Sequence, residues 1–171
     1  MNNKVLLTII ILLALVAGIF YFYSDSNTMD NAANDAYNTK EAAKSGGFGA
    51  GQKAIVYKSP TCGCCVGYAD ELKRQGFEVE IIETNDMDSI KSKYGIPADK
   101  QSCHTIAIGD YFVEGHVPME AVEKLLKEKP EITGIGLPRM PSGTPGMPGP
   151  KRAPYEVYQV KDGEFLDFIT L

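Results

Sequence analysis

The chain has 171 residues, 44% of them hydrophobic and 23% charged, with a formal net charge of −5. That length suits one modest globular domain with accessory segments and argues against two full-sized domains. The negative balance deepens once Lys4, the one charged residue of the first 23, is set aside. An acidic domain repels phosphate, so nucleic acid is not expected as a partner.

Residues 5–23 (VLLTIIILLALVAGIFYFY) are apolar apart from Thr8. At ~1.5 Å per residue such a helix spans nearly the whole ~30 Å hydrocarbon core of a bilayer. Leu15-Val16-Ala17-Gly18 offers a weak cleavage site, so a removed signal segment is the competing reading. The aromatics Phe20, Tyr21, Phe22 and Tyr23 suit an interfacial belt and favour an uncleaved anchor. Lys4 on one flank and Asp25, Asp30 and Asp35 on the other predict a single pass of the cytoplasmic membrane with the N-terminus inside. The soluble part is then expected in the periplasm or on the outer surface. Residues 24–52 are rich in Asn, Asp, Ala, Ser and Gly and carry little apolar surface to offset ordering entropy. They are expected to be a flexible linker, leaving 53–171 as the folded domain.

Residues 53–58 (KAIVYK) read as a strand ending at Ser59-Pro60-Thr61, directly before Cys62-Gly63-Cys64-Cys65. Val66, Ala69 and Leu72 recur at helical spacing over 66–75, and Gly76 supplies a stop. Residues 77–84 (FEVEIIET) alternate as a strand with one buried face. A shorter helix is expected over 86–94, then strands at 105–108 and 111–113 around the turn Gly109-Asp110. Pro118 opens a third helix running to 129, with Val122, Leu125 and Leu126 inward. The segment 132–154 is too dense in Pro and Gly for regular structure and is expected to lie along the surface. A final hairpin, 155–160 with 165–169, closes the chain.

The order β-α-β, short helix, β-hairpin, helix predicts an α/β domain of thioredoxin-like fold, preceded by a transmembrane helix and extended by a C-terminal β-hairpin. In that fold the loop after the first strand faces the loop before the hairpin. Cys62, Cys64 and Cys65 occupy the first loop and Cys103 the second, so four sulfurs are expected to converge.

Four cysteines in an exported chain raise the possibility of structural disulfides. Neighbours such as Cys64 and Cys65 cannot pair without strain, and a structural framework usually spreads its cysteines to close large loops. A helix N-terminus stabilises thiolate, which is both redox nucleophile and metal ligand. Cys62 and Cys65 form a CxxC pair fit for disulfide exchange. Against plain exchange stand the rival thiol Cys64 and the sequence Ser102-Cys103-His104 where thioredoxins place a substrate-binding proline. Multidentate soft-metal binding suits all four thiols. The compact C-x-C-C plus a remote Cys fits the usual iron–sulfur or structural-zinc spacings poorly, and Cu(I), which tolerates low coordination and bridging sulfur, fits best.

Met140 and Met147, in PRMPSGTPGMP, present thioethers suited to Cu(I), although methionines in such loops also serve as packing. His104 and His116, the two histidines of the chain, lie beside the expected site. Each is read either as a ligand or as a structural residue bonded to backbone. Met87 and Met119, at helix starts, read as packing residues.

Ser59-Pro60-Thr61-Cys62-Gly63-Cys64-Cys65, Ser102-Cys103-His104-Thr105, Glu114-Gly115-His116-Val117-Pro118 and the Pro-Gly-Met segment around Met140 and Met147 resemble the CopG-type copper-resistance family. The resemblance covers nearly all of 53–171. It implies a thioredoxin-like fold, a periplasmic or surface location, a Cu(I)–thiolate cluster on the four cysteines and a role in copper resistance. Copper ions are the expected partner, together with copper export or carrier proteins. Tyr68 stands where the family tends to have Trp, and Arg139 and Pro148 replace a Gly and an acidic residue. The function expected is thus storage, transfer or redox handling of copper outside the cytoplasm. The alternative is an anchored thiol–disulfide oxidoreductase using Cys62 and Cys65, so whether the protein is an enzyme stays open.

Overall fold

The computed structural model describes residues 46–171. The expected membrane segment 5–23 and most of the linker lie outside the described residues. Among the described residues no helix is long and apolar enough to cross a membrane. The domain is mixed α/β, built on one seven-stranded sheet.

Chain order gives β1 (Lys53–Lys58), α1 (Gly63–Arg74), β2 (Glu78–Glu83), α2 (Met87–Lys93), a 3-10 turn at Ala98–Lys100, β3 (His104–Ile108), β4 (Tyr111–Glu114), α3 (Met119–Glu128), β5 (Gly134–Gly136), β6 (Glu156–Lys161) and β7 (Glu164–Thr170). The succession read from the periodicity, strand, helix, strand, helix, hairpin, helix, is therefore present. The spatial order is β2-β1-β3-β4-β5-β6-β7. β1 runs parallel to β2, as a strand–helix–strand crossover requires, and antiparallel to β3.

Strand alternation divides the core between the two faces of the sheet. On one face Ala54 and Val56 of β1, Ile106 and Ile108 of β3 and Val113 of β4 pack against Tyr68, Ala69 and Leu72 of α1 and Val122 and Leu125 of α3. Truncating a fully buried leucine of this cluster, such as Leu125, is expected to cost about 2–5 kcal/mol. On the other face Phe112, Tyr158 and Val160 pack with Ile96, Tyr94 and Phe165. α2 is capped as its sequence predicts, the Asp86 carboxylate accepting from the Ser89 N–H.

Three expectations are corrected. Helix α1 begins at Gly63 instead of 66, so Cys64 and Cys65 lie inside its first turn. The segment 132–154 is not wholly irregular, because Gly134–Gly136 forms β5 between β4 and β6. Its glycines let the backbone press against Phe112 and Tyr158 while Ile135 alone enters the core. The C-terminal hairpin is thereby a continuation of the main sheet. Finally, β2 lies at the sheet edge and lacks the clean buried face its alternation predicts, with Ile81 exposed. Residues 46–52, at the end of the expected linker, form turns in which Gly49 N–H donates to the Gln75 carbonyl and Phe48 packs edge-on against Phe77.

Candidate metal centre

β1 ends at Lys58, and the Cys62 N–H closes the following turn on the Ser59 carbonyl at 3.1 Å. Cys62 is the N-cap of α1, in extended backbone, and its side chain caps nothing. No acidic residue occupies the first turn. The N-terminal N–H groups and positive end of the helix dipole are thus left without a side-chain cap beside the thiol cluster.

The fourth cysteine arrives through strand pairing. β1 and β3 are antiparallel with Lys58 opposite His104, so the residue entering β3 must lie beside the loop leaving β1. Cys103 is that residue. Its Sγ lies 3.6 Å from Cys65 Sγ and 3.9 Å from Cys64 Sγ, and Cys62 and Cys64 sulfurs are 3.6 Å apart. All four ligand atoms fall within 4.8 Å of one another. The expected convergence is present. Cys62 and Cys65 are joined in a disulfide, while Cys64 and Cys103 are free thiols. Burial, reinforced by the neighbouring Cys64, pushes the Cys103 thiol up to about 12, so it carries its proton at neutral pH unless a metal displaces it.

Both histidines belong to the site, and Cys103 joins them to it. His116 Nε2 is 3.1 Å and His104 Nδ1 3.3 Å from Cys103 Sγ, so Cys103, His104 and His116 form a second group within 4.8 Å. The tautomer of His116 follows from its other contact. Its Nδ1 lies 2.7 Å from the Pro145 carbonyl, which can only accept, so Nδ1 carries the proton and Nε2 turns a lone pair toward the sulfur. Burial lowers the His116 pKa. Burial, and then the nearby His116 and Lys91, hold His104 well below the ordinary histidine range. Neutral imidazoles are the form that ligates metal. His104 is completely buried, and its Nε2 has no hydrogen-bond partner. Tyr68 packs its ring against both imidazoles and anchors its hydroxyl on the Val117 carbonyl at 2.8 Å.

The two methionines are placed differently. Gly146 lies against the Cys64 carbonyl and the Tyr68 N–H at the start of α1, so Met147 follows a segment strapped over the site. Met140 is 49% exposed and lines a cavity of about 630 Å³ with Lys100, Arg139 and Tyr158, a cavity no cysteine lines. The residue before Met140 is tied down next to Cys103, for Ser102 Oγ donates to the Arg139 carbonyl and the Arg139 N–H to the Gln101 carbonyl.

Sequence reasoning assigned no role to Lys91, Ser102, Thr105 or Glu114, which lie together directly behind Cys103. Lys91 Nζ sits 2.5 Å from Glu114 Oε1, and both side chains are nearly or fully buried. The available signal was a lone carboxylate closing the apolar run Tyr111-Phe112-Val113.

The donor set is chemically consistent with a soft metal: four sulfurs and two neutral imidazoles. Comparison with known proteins points the same way. A family described as "Protein of unknown function, DUF411" matches residues 100–147, which include Cys103, His104 and His116. The chain is similar to a solved structure titled "Copper resistance protein copG- Form 2", at 34% identity over 70% of this chain and 98% of that one, with a TM-score of 0.65. It is likewise similar to "Copper resistance protein copG- Form 1", at 35% identity over 70% and 96%, with a TM-score of 0.64. No curated protein sequence matches.

Proposed function

Because the chain belongs to the CopG copper-resistance family, we propose that it binds Cu(I) through Cys62, Cys64, Cys65 and Cys103 on a thioredoxin-like domain. The observation that carries this reading is the meeting of Cys103 with three cysteines some forty residues earlier, all four sulfurs within 4.8 Å. Sulfur-rich sites select soft cations, and Cu(I) accepts the low coordination and bridging thiolates that so compact a cluster imposes. Cys103 belongs to both the sulfur group and the imidazole group, which suits a thiolate bridging more than one copper ion. His116 and His104 would complete the site from the buried side, and Met147 from the strap above it.

In this reading the protein stores copper, transfers it to export or carrier proteins, or changes its redox state in copper resistance. The apolar segment 5–23 anchors it in the cytoplasmic membrane with the domain in the periplasm or on the outer surface. The test is metal analysis of protein purified reduced and without oxygen, comparing wild type with Cys103→Ser. Wild type is expected to retain Cu(I) and the variant to lose most of it. Equal retention would remove the argument from convergence, and preference for Zn over Cu(I) would replace copper.

The Cys62–Cys65 disulfide favours a second reading. A CxxC pair at a helix N-terminus can exchange electrons with a substrate disulfide. Reduction of the pair takes two electrons and two protons and returns two thiols. Turnover of a disulfide substrate that survives both Cys64→Ser and Cys103→Ser would support an oxidoreductase and demote the metal.

A further inference from the structure

Behind the metal centre, on the opposite face of the sheet, lies a charged group that the copper reading leaves unused. In β3 the side chains alternate, so His104 faces Tyr68 of α1 while Thr105 faces the other way, toward α2. There Glu114, at the end of β4, is 0% exposed, and Lys91 of α2 is nearly so. Glu114 Oε1 accepts from the Ser102 N–H at 2.6 Å and from Lys91 Nζ at 2.5 Å. Glu114 Oε2 accepts from Thr105 Oγ1 at 2.6 Å, and Lys91 Nζ also reaches that hydroxyl at 3.2 Å.

Removing two charges from water is costly, and a buried ion pair commonly adds little net stability over an apolar pair of the same size. The contacts say what this one holds. One carboxylate oxygen grips the residue before Cys103, the other grips the residue after His104, and the same glutamate stands two residues before His116. A single side chain thereby brackets three members of the centre. Ser102 enters β3 from irregular backbone after the 3-10 turn, and among the described residues Glu114 is the partner of its N–H.

We propose that Glu114, held by Lys91, is a positioning residue for the metal centre: it fixes the backbone that presents Cys103 and His104 without touching the metal. The inference rests on the copper reading. Outer partners that orient metal ligands commonly set affinity by about 10- to 100-fold.

The test compares two double variants with wild type, all reduced and free of oxygen. Lys91→Met with Glu114→Gln removes both charges but keeps a carbonyl oxygen for Ser102 and an amide donor for the Thr105 hydroxyl. Lys91→Met with Glu114→Leu removes the charges and the grip. Cu(I) affinity is read by competition with a chromophoric Cu(I) chelator, the sulfur-to-copper absorption by near-UV spectroscopy, and folding by the melting temperature without metal. The Gln variant is expected to bind as wild type does. The Leu variant is expected to melt as the Gln variant does, yet to bind Cu(I) about 10- to 100-fold more weakly with altered absorption per copper. A merely structural role would lower the melting temperature and leave the affinity of the folded fraction unchanged, and wild-type affinity in a folded Leu variant would overturn the proposal.

If the Leu variant does not fold, Thr105→Val decides. It releases one carboxylate oxygen, together with the longer Lys91 contact to the same hydroxyl, and leaves the Ser102 grip in place. It is expected to weaken binding about 2- to 10-fold, the equivalent of one hydrogen bond, and unchanged binding overturns the proposal. Wild-type protein that takes up no Cu(I) in the same titration would sink the copper reading instead, so the two failures are distinguishable.

Discussion

The centre has two halves that share one sulfur and differ in how they are held. Cys62 and Cys64 sit at the partly open N-terminal end of α1, and the Cys62–Cys65 pair is oxidised. His104 and His116 are fully buried, His116 with its proton fixed by the Pro145 carbonyl. The open half can change its donor count by redox chemistry, whereas the closed half can change only if the protein moves. Such a division suits a site whose capacity is set at the mouth and whose geometry is set at the floor.

The largest expected effect breaks the mouth without touching the floor. Closing the Cys62–Cys65 bond withdraws two of the four cysteine sulfurs as thiolates. Protein treated with a thiol oxidant and desalted is expected to lose roughly half or more of its Cu(I), and to recover it on reduction. Copper-to-protein ratio measured beside the mass shift on alkylation checks this, because the thiol count and the copper count must fall together. Copper that stays bound while the pair is oxidised would place the metal on the imidazole half.

Next in size is the floor. His116→Ala removes the nitrogen whose lone pair faces Cys103 and is expected to weaken Cu(I) binding by at least about 10-fold. Unlike the loss on oxidation, this one is not expected to be reversed by reductant. A chelator competition run before and after reduction separates the two halves.

Legibility in the sequence divides along similar lines. Val66, Ala69 and Leu72 announced α1, and the fold inferred from the element order placed Cys103 opposite the earlier cysteines, which the antiparallel pairing of His104 with Lys58 brings about. β5 was hidden because Gly-Ile-Gly within a Pro- and Gly-rich run has no alternation to read. Lys91 was hidden because a lysine in Ile90-Lys91-Ser92-Lys93 reads as a solvated face until Glu114 is seen behind it. The tautomer of His116 depends on a backbone carbonyl 29 residues away, which no local pattern encodes.

Gly146 sharpens the comparison further, because it couples strap and floor. It has φ +78, and a Cβ there would lie 2.7 Å from the Cys64 carbonyl and the Tyr68 nitrogen. Gly146→Ala is expected to cost about 1–3 kcal/mol by denaturant unfolding of the metal-free protein. It should also displace Pro145 and so loosen the fixed tautomer of His116. Unchanged stability would mean that the strap does not press on the helix.

The pH dependence tests the closed half together with the shared sulfur. The buried neutral histidines have depressed pKa values, so an unfolded chain takes up protons near pH 6.5 while the folded one does not. Stability of the metal-free protein is therefore full above about pH 6.5 and falls as the pH drops below it. Cys103 acts in the opposite direction. Its folded thiol titrates at about 12 against 9.0 unperturbed, so stability falls as the pH rises above about 9. Denaturation midpoints across this range should give a plateau with both shoulders, and Cys103→Ser should flatten the alkaline one.

The smallest effect concerns the methionines. Met140 is half exposed in a cavity wall that no cysteine shares, whereas Met147 directly follows the glycine pressed on α1. Leucine matches methionine in volume but lacks the thioether, so Met→Leu isolates the sulfur from the packing. Met140→Leu is expected to change Cu(I) affinity by less than about 2-fold, within the range of one weak contact. Met147→Leu is expected to lower it more, because its backbone follows the glycine that packs against α1 beside the cysteines, whereas Met140 lines a separate cavity. Equal, negligible losses would make both thioethers packing groups and confine the metal to cysteine and histidine.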